Sequence, residues 1–467
     1  MKKNAMRGGA YSAAVTAVVL AILIAVNVFV SAMPSGATEY DISASKLYSV
    51  TSNTKSVVNA LTEDVTIYWI VQADEEDDVI GKLLDRYESL SDHITVEKRN
   101  PDVYPTFAEQ YTDGTVYNNS LVVECGDRSR YIGYEDIYLT DASMYSYSYS
   151  TSFDGEGAIT SAIDYVTNPD QPVVYTLTGH GEEDLPATFA DSLEKENITV
   201  EDLSLLNTAE IPEDVACLIV YAPQSDISEA ERDTLASYVA GGGRLLVMAG
   251  PVEAAGLPNF YSLLEPYGVT AAEGIVVEED QAHYVYPSPV ALMPDLAESD
   301  VTAPLLEEGY YVIVPLAAGL TVGENTTSAS VTSLLTTSEA SFSKPAGYDM
   351  ATYEKEDGDI DGPFALAVDI ACDSGGELIW VSSSAYLDDM YNAYSSGANV
   401  NFTMNALSQL IGESETLSIR TKSLNYNYLT ISDSVSGLLQ VVMIGLIPLA
   451  FLGTGIILVV RRRRLLK

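Results

Sequence analysis

Apolar and polar positions are sorted into blocks along this chain. From Gly8 to Thr38 no residue is charged, and Tyr11–Val30 is dense in alanine, valine, leucine and isoleucine. A run of that length reaches across a hydrocarbon core of about 30 Å. Val435–Val460 is a second uncharged, mainly apolar run, and the Pro448 inside it is one that a membrane helix tolerates. Between the two, short apolar runs alternate with amphipathic ones, and the pattern is sharpest from Pro172 to Pro251. There Pro172–Leu185 carries a short apolar run that ends in Gly179-His180-Gly181-Glu182. A strand-like run at Cys217–Tyr221 breaks at Ala222-Pro223. Ser228 and Glu231 then form an S-x-x-E capping box that starts a helix. Ala230, Leu235, Tyr238 and Val239 share one face of that helix, and Glu229, Glu231, Arg232 and Asp233 are expected to solvate the other. Gly241-Gly242-Gly243 stops it, and the apolar run Leu245–Ala249 follows. Strand, helix and strand with short joints form a βαβ unit, which requires a parallel sheet covered on both faces.

The remaining pattern adds elements on either side. Ser52–Leu61 has helical spacing with Ser52 or Asn53 as cap, Val65–Val71 reads as a buried strand, and Asp77–Leu90 as a helix burying Val79, Leu83, Leu84 and Tyr87. Ile94–Lys98 reads as a strand and Tyr104–Tyr111 as a short helix. Leu121–Cys125 and Tyr131–Tyr134 form a hairpin turned at Gly126-Asp127. This order resembles a thioredoxin-like layout, but the dithiol is absent, so no redox chemistry follows. Thr140–Asp154, rich in serine and tyrosine, is expected to be an exposed linker, and Gly157–Val166 a helix. Past the βαβ unit the pattern predicts a helix over Phe260–Tyr267 and a strand over Gly274–Val277. An irregular insertion at about 278–363 holds strands Tyr310–Val314 and Val331–Leu335. Strands at Phe364–Ile370 and Leu378–Ser382, a helix at Val400–Ile411 and a lead-in at Leu417–Ile431 complete the expectation.

Charge orients the whole. The net charge is −44, yet eight of the 23 basic residues lie at the ends: Lys2, Lys3 and Arg7 before the first apolar run, Arg461–Arg464 and Lys467 after the second. The intervening chain holds 15 basic against 67 acidic residues. Such a surface repels phosphate backbones and excludes nucleic acid as a partner. Basic residues flanking both spans place both termini in the cytoplasm and about 390 residues outside the cell membrane. A cleaved signal peptide ending near Val30-Ser31-Ala32 is the rival reading of the first run, whose length favours a retained anchor. The expected fold class is α/β in a membrane-anchored hairpin topology: two transmembrane helices flank an external thioredoxin-like α/β domain and a second, mainly parallel-sheet α/β domain. Its divisions are residues 1–9 (cytoplasmic), 10–33 (first span), 39–139 (first external domain), 140–171 (linker and helix), 172–431 (second external domain), 435–460 (second span) and 461–467 (basic cytoplasmic tail).

Candidate chemistry is sparse. His180 and Glu182 lie just past the carboxyl end of a predicted strand, where open α/β sheets place their ligand crevice. A histidine beside Glu182, Glu183 and Asp184 suits a metal ligand or general base. The preferred reading is that Gly179 and Gly181 supply a turn in which His180 is a local or partner contact. Asp357, Asp359 and Asp361 imitate the first half of a calcium loop, D-x-D-x-D-G, but Val368 stands where the bidentate glutamate belongs, so an EF-hand is excluded, and a hydrophilic turn before the Phe364 strand is preferred to a weak external calcium site. No G-x-x-x-x-G-K-[ST] sequence occurs, so the chain does not itself hydrolyse ATP. Cys125, Cys217 and Cys372 lie in apolar strand-like runs and read as buried thiols.

Several segments together carry a family resemblance. The GHGE after a strand, APQSDIS with its helix entry, and GGGRLLVMAGP resemble the auxiliary component of gliding-motility-type ABC transport systems (GldG-like). So do Lys46–Leu61, Gly155–Asn168 and Asn401–Leu424, in the same order between two apolar spans. The resemblance implies a non-catalytic, membrane-anchored auxiliary subunit acting through contacts with a permease and an ATPase, with no cofactor and no catalytic residues. The alternatives are an external hydrolase or amidotransferase-like enzyme using the crevice near His180, or an envelope-binding or adhesion protein.

Overall fold

The computed structural model describes residues 17–25, 50–412 apart from 144–147, 207–209, 254–255 and 326, and residues 422–423, 448 and 453. The expected spans 10–33 and 435–460 therefore lie largely outside the described residues, as do the two tails and most of Leu417–Ile431. Residues 17–25 are helical, with Val18, Val19, Leu20, Ile22, Leu23 and Ile24 exposed. Among the described residues no helix is long and apolar enough to cross a membrane.

The first sheet follows the expected order. Helix α1 (Ser52–Asn59) is capped one residue earlier than expected: the Thr51 hydroxyl accepts the Thr54 amide. Strand β1 (Val65–Ile70), helix α2 (Asp78–Leu90), β2 (Ile94–Arg99), β3 (Ser120–Cys125) and β4 (Arg128–Ile132) follow. The strands lie in the order β2-β1-β3-β4, with β1 and β2 parallel and the other pairs antiparallel. The Asp77 carboxylate caps α2 by accepting the amides of Val79 and Ile80. The buried face of α2 is Ile80, Leu83, Leu84 and Tyr87, so Ile80 takes the place expected for Val79. The segment Tyr104–Tyr111 supplies only a 3-10 turn at Ala108–Gln110.

The expected linker is a structured hairpin. Strands β5 (Tyr138–Ser143) and β6 (Ser148–Phe153) pair antiparallel, with Tyr138 opposite Phe153. Alternation of tyrosine with serine and threonine is the period of a strand, and those types favour it. Phe153 is fully buried in the first core, which ties the hairpin to the sheet. Helix α3 (Gly155–Thr167) also packs there and leads into the second sheet.

The second sheet holds β7 (Val173–Leu177), β8 (Thr199–Leu203), β9 (Val215–Tyr221), β10 (Arg244–Met248), β11 (Val269–Ala271), β12 (Leu320–Val322), β13 (Ser330–Thr336), β14 (Ala365–Ala371) and β15 (Glu377–Val381). Its order is β11-β12-β14-β15-β10-β9-β7-β8, with β13 also paired to β14. From β15 to β8 the five strands are parallel; β14 runs antiparallel to β15. Alternate strand residues serve the two faces. Val174, Cys217, Ile219, Leu246 and Met248 pack beneath α4 (Ala187–Lys195) and α6 (Ala398–Ile411). Tyr175, Leu218, Val220, Leu245 and Val247 pack with Trp380 beneath α5 (Glu229–Ala240). Both faces are covered, as a parallel sheet needs.

Helix α4 and strand β8 escape the apolar pattern because β8 is an edge strand, exposed from Thr199 to Asp202 and buried only at Leu203. In the insertion, Tyr310–Val314 contributes only the two-residue strand Val314–Pro315, paired with Ala291–Leu292, and Phe260–Tyr267 splits into Pro258–Tyr261 and a 3-10 turn at Glu265–Tyr267. The capping box of α5 forms as expected: Ser228 Oγ accepts the Glu231 amide, and Glu231 Oε2 accepts the Ser228 amide at 2.9 Å. Ser228→Ala should lower stability by about 1 kcal/mol, read as a shift of the unfolding midpoint. At the other end of α5 the left-handed position is Gly242, at φ +104°.

Candidate functional site

The chain goes from β7 through α4 to β8 on one side, then returns to place β9 on the other side of β7. That reversal is a topological switch point, and the loops leaving the carboxyl ends of β7 and β9 diverge around a crevice. Gly179-His180-Gly181-Glu182 follows β7, and Ala222-Pro223-Gln224-Ser225 follows β9. The sequence expectation that GHGE lies at a strand's carboxyl end is met. Gly179 and Gly181 both have positive φ, +123° and +76°, so the tight turn around His180 falls on the two residues without a side-chain penalty.

His180 itself points inward. Its residue is 4 % exposed, and its ring lies between two buried carboxylates. Nδ1 is 3.2 Å from Glu182 Oε1, and Glu182 Oε2 accepts the His180 amide at 2.7 Å. Nε2 is 3.2 Å from Glu231 Oε1 but outside hydrogen-bond alignment, and this oxygen has no hydrogen bond. The His180 carbonyl accepts the amides of Gln224 and Ser225 and the Ser225 hydroxyl, which binds the β7 loop to the β9 loop. Phe260 closes the ring's remaining side with an edge-on contact at 6.4 Å.

Glu231 is the residue that sequence reasoning placed wrongly. It was expected on the solvated face of α5, yet it is 7 % exposed. As third residue of the capping box its side chain turns back over the helix start, which carries it under the β7 loop rather than into water. Burial pushes its carboxyl up, but the Ser228 amide and hydroxyl and then His180 outweigh this and hold it below the usual range. The signal was present: a capping-box glutamate beside an unplaced histidine in one βαβ unit. The arrangement fixes two loops together and sets a carboxylate beside each ring nitrogen of His180.

The crevice lies beside this clamp, across the carboxyl ends of β7, β9, β10 and β15. It has a volume of about 500 Å³ and is lined by Glu183, Asp184, Tyr221, Glu253, Asp388 and Asp389, among others, with no basic residue among the described ones. Of these, sequence reasoning singled out only Glu183 and Asp184, because the rest meet through long-range packing.

The acidic loop Asp357-Asp359-Asp361 lies elsewhere and faces lysines. Lys344 Nζ, on a side chain 3 % exposed, donates to Asp359 Oδ2 at 2.9 Å and to Glu356 Oε2 at 3.0 Å. Lys355 pairs with Asp361. Among the described residues no group of three or more histidine, cysteine, aspartate or glutamate side chains is arranged to hold a metal. Cys125 and Cys217 are buried and Cys372 half-buried, all as free thiols, and burial pushes the Cys217 thiol up. Cys217 lies near the start of β9, away from any turn apex.

Comparison with known proteins gives two family matches. Residues 171–373 match the family described as "ABC-type uncharacterized transport system", and residues 44–140 match a domain of unknown function, DUF7088. The first match supports the ABC transport auxiliary family and spans the second sheet with the His180 clamp. No curated protein matches. Similar solved structures include the mmIFT52 N-terminal domain, at 18 % identity and TM-score 0.40, covering 51 % of this chain and 97 % of that one. A glutamine amidotransferase from Thermotoga maritima is similar at 8 % identity and TM-score 0.30, covering 52 % and 98 %. A GH42 β-galactosidase, Gan42B, is similar at 12 % identity and TM-score 0.26, covering 53 % and 33 %.

Proposed function

We propose that the chain is a non-catalytic, membrane-anchored auxiliary subunit of an ABC transport system of the gliding-motility type, acting through contacts with a permease and an ATPase. The observation that carries this reading is the ABC transport match over 171–373, laid on a sheet whose GHGE histidine serves as a clamp between two loops. A histidine buried with a carboxylate beside each ring nitrogen ties chain segments together. The uncharged runs within 10–33 and 435–460, each with basic residues on its outer flank, support an anchor at both ends and an external main domain.

In mild detergent the protein should co-purify from its own membranes with an ATPase and a multispan permease. A reporter fused after Lys467 should be cytoplasmic and one inserted at Asp141 external. Recovery as a lone species across several detergents, or a mature chain beginning near Met33, would count against the subunit role and the first anchor respectively.

A further inference from the structure

The crevice at the switch point contains more than an acidic rim. Tyr221, the last residue of β9, is 4 % exposed and lines it, and its hydroxyl has no hydrogen-bond partner among the described residues. Burial first, then the charges of Glu183, Asp388 and Asp389, push its phenol up, which places the ring in the field of the crevice carboxylates. The ring is buried while its hydroxyl keeps access to the crevice, where it is available to a ligand. Asp184 and Glu253 are exposed and make no hydrogen bond within the described residues, unlike Asp389, which accepts from Thr188, and Asp388, which caps the helix after it. Pro186, Val252 and Leu316 add apolar wall to the same space. The backbone bordering it is held in the left-handed region at two residues with side chains, Ala222 at φ +49° and Leu316 at φ +48°.

We propose that this crevice binds an alkylammonium ion, the head of a free polyamine or of a lysine side chain, with the Tyr221 hydroxyl and the carboxylates of Asp184 and Glu253 as its partners. The charge selects a cation. The carboxylates are not grouped to hold a metal among the described residues, and the apolar wall suits an alkyl chain attached to the charge. The inference stands on the crevice alone and does not depend on the transport role.

The test is calorimetric titration of the full-length protein in detergent with spermidine, and separately with a tri-lysine peptide, at about 0.15 M salt, where diffuse attraction to an acidic protein is screened. A single saturable site is expected. Asp184→Asn with Glu253→Gln should weaken it by about tenfold or more, and Tyr221→Phe by about three- to tenfold. Glu229→Gln with Asp233→Asn, the same loss of charge on the exposed face of α5, should leave it unchanged. All three proteins should melt with the parent, because none of these groups supports the fold through a hydrogen bond to another element. Tighter binding of the peptide would assign the site to a protein segment, and tighter binding of spermidine to a free amine. No saturable binding, or an equal loss in the α5 control, overturns the proposal.

Discussion

Replacing His180 by alanine should destabilise the protein by about 1–3 kcal/mol, because it takes the ring from between two carboxylates whose side chains are 6 % and 8 % exposed and leaves them only their backbone and Ser228 donors. A polar residue in a glycine turn suggests the opposite, a change of little cost, and the geometry reverses that expectation. Loss of the ring removes the contacts to Glu182 and Glu231 and opens a void beside Phe260. The measurement is the unfolding midpoint in mild detergent, followed with and without Glu231→Gln. That second substitution keeps an oxygen for the capping box and removes the buried charge that the ring faced. The double variant should therefore recover roughly 1 kcal/mol relative to His180→Ala alone. A midpoint equal to the parent's would show that the clamp carries no stability. Hydrolytic turnover abolished by His180→Ala at an unchanged midpoint would instead favour an enzyme working at this crevice.

Asp369→Asn should stabilise the protein at about pH 8 by on the order of 2 kcal/mol and leave it unchanged near pH 4. Asp369 lies on β14 opposite Ile379 of β15, close to Glu377, and Gln409 of α6 donates to both carboxyl groups. Burial, and then the neighbouring Glu377, push the Asp369 carboxyl up to about 7, while the Gln409 donor opposes the rise. Asp369 Oδ1 has no hydrogen bond. In the unfolded chain the same group titrates near 3.9. The folded protein therefore holds a proton that the unfolded chain has released between about pH 4 and 7. Its contribution to stability is complete below that window and is lost as the pH rises through it. Asparagine mimics the protonated acid at every pH, so the variant's midpoint should decline less from about pH 5 to 8. Equal slopes for the two proteins would refute the assignment.

Much of the fold is legible in the sequence where burial is two-sided. The strands Cys217–Tyr221 and Leu245–Ala249 and the capping box at Ser228 were all readable, because parallel strands are continuous apolar runs and caps have a fixed spacing. What failed is one-sided or long-range. The edge strand β8 carries Glu201 and Asp202 and resembles a loop, and the serine-tyrosine hairpin resembles a linker because only its ends reach the core. At the site, GHGE and its glycines were found, but Glu231 was assigned to solvent. Helical periodicity describes where a Cβ points and not where a long side chain returns. Tyr221, Glu253, Asp388 and Asp389 come from three separate stretches, and only the sheet order makes them neighbours.

That sheet order also sets a timetable. Strand β10 pairs with β9 immediately before it, but its other neighbour, β15, is synthesised only after the whole stretch from Gly250 to Gly376. Until Glu377–Val381 arrives, the middle of the sheet is an unpaired, wholly apolar edge of Leu245, Leu246, Val247 and Met248. Non-local pairing of this kind is closed late and at an entropic cost that grows with the intervening loop. During emergence of the chain the nascent sheet is thus a template for wrong partners, and the insertion has to be threaded to completion before the centre is safe.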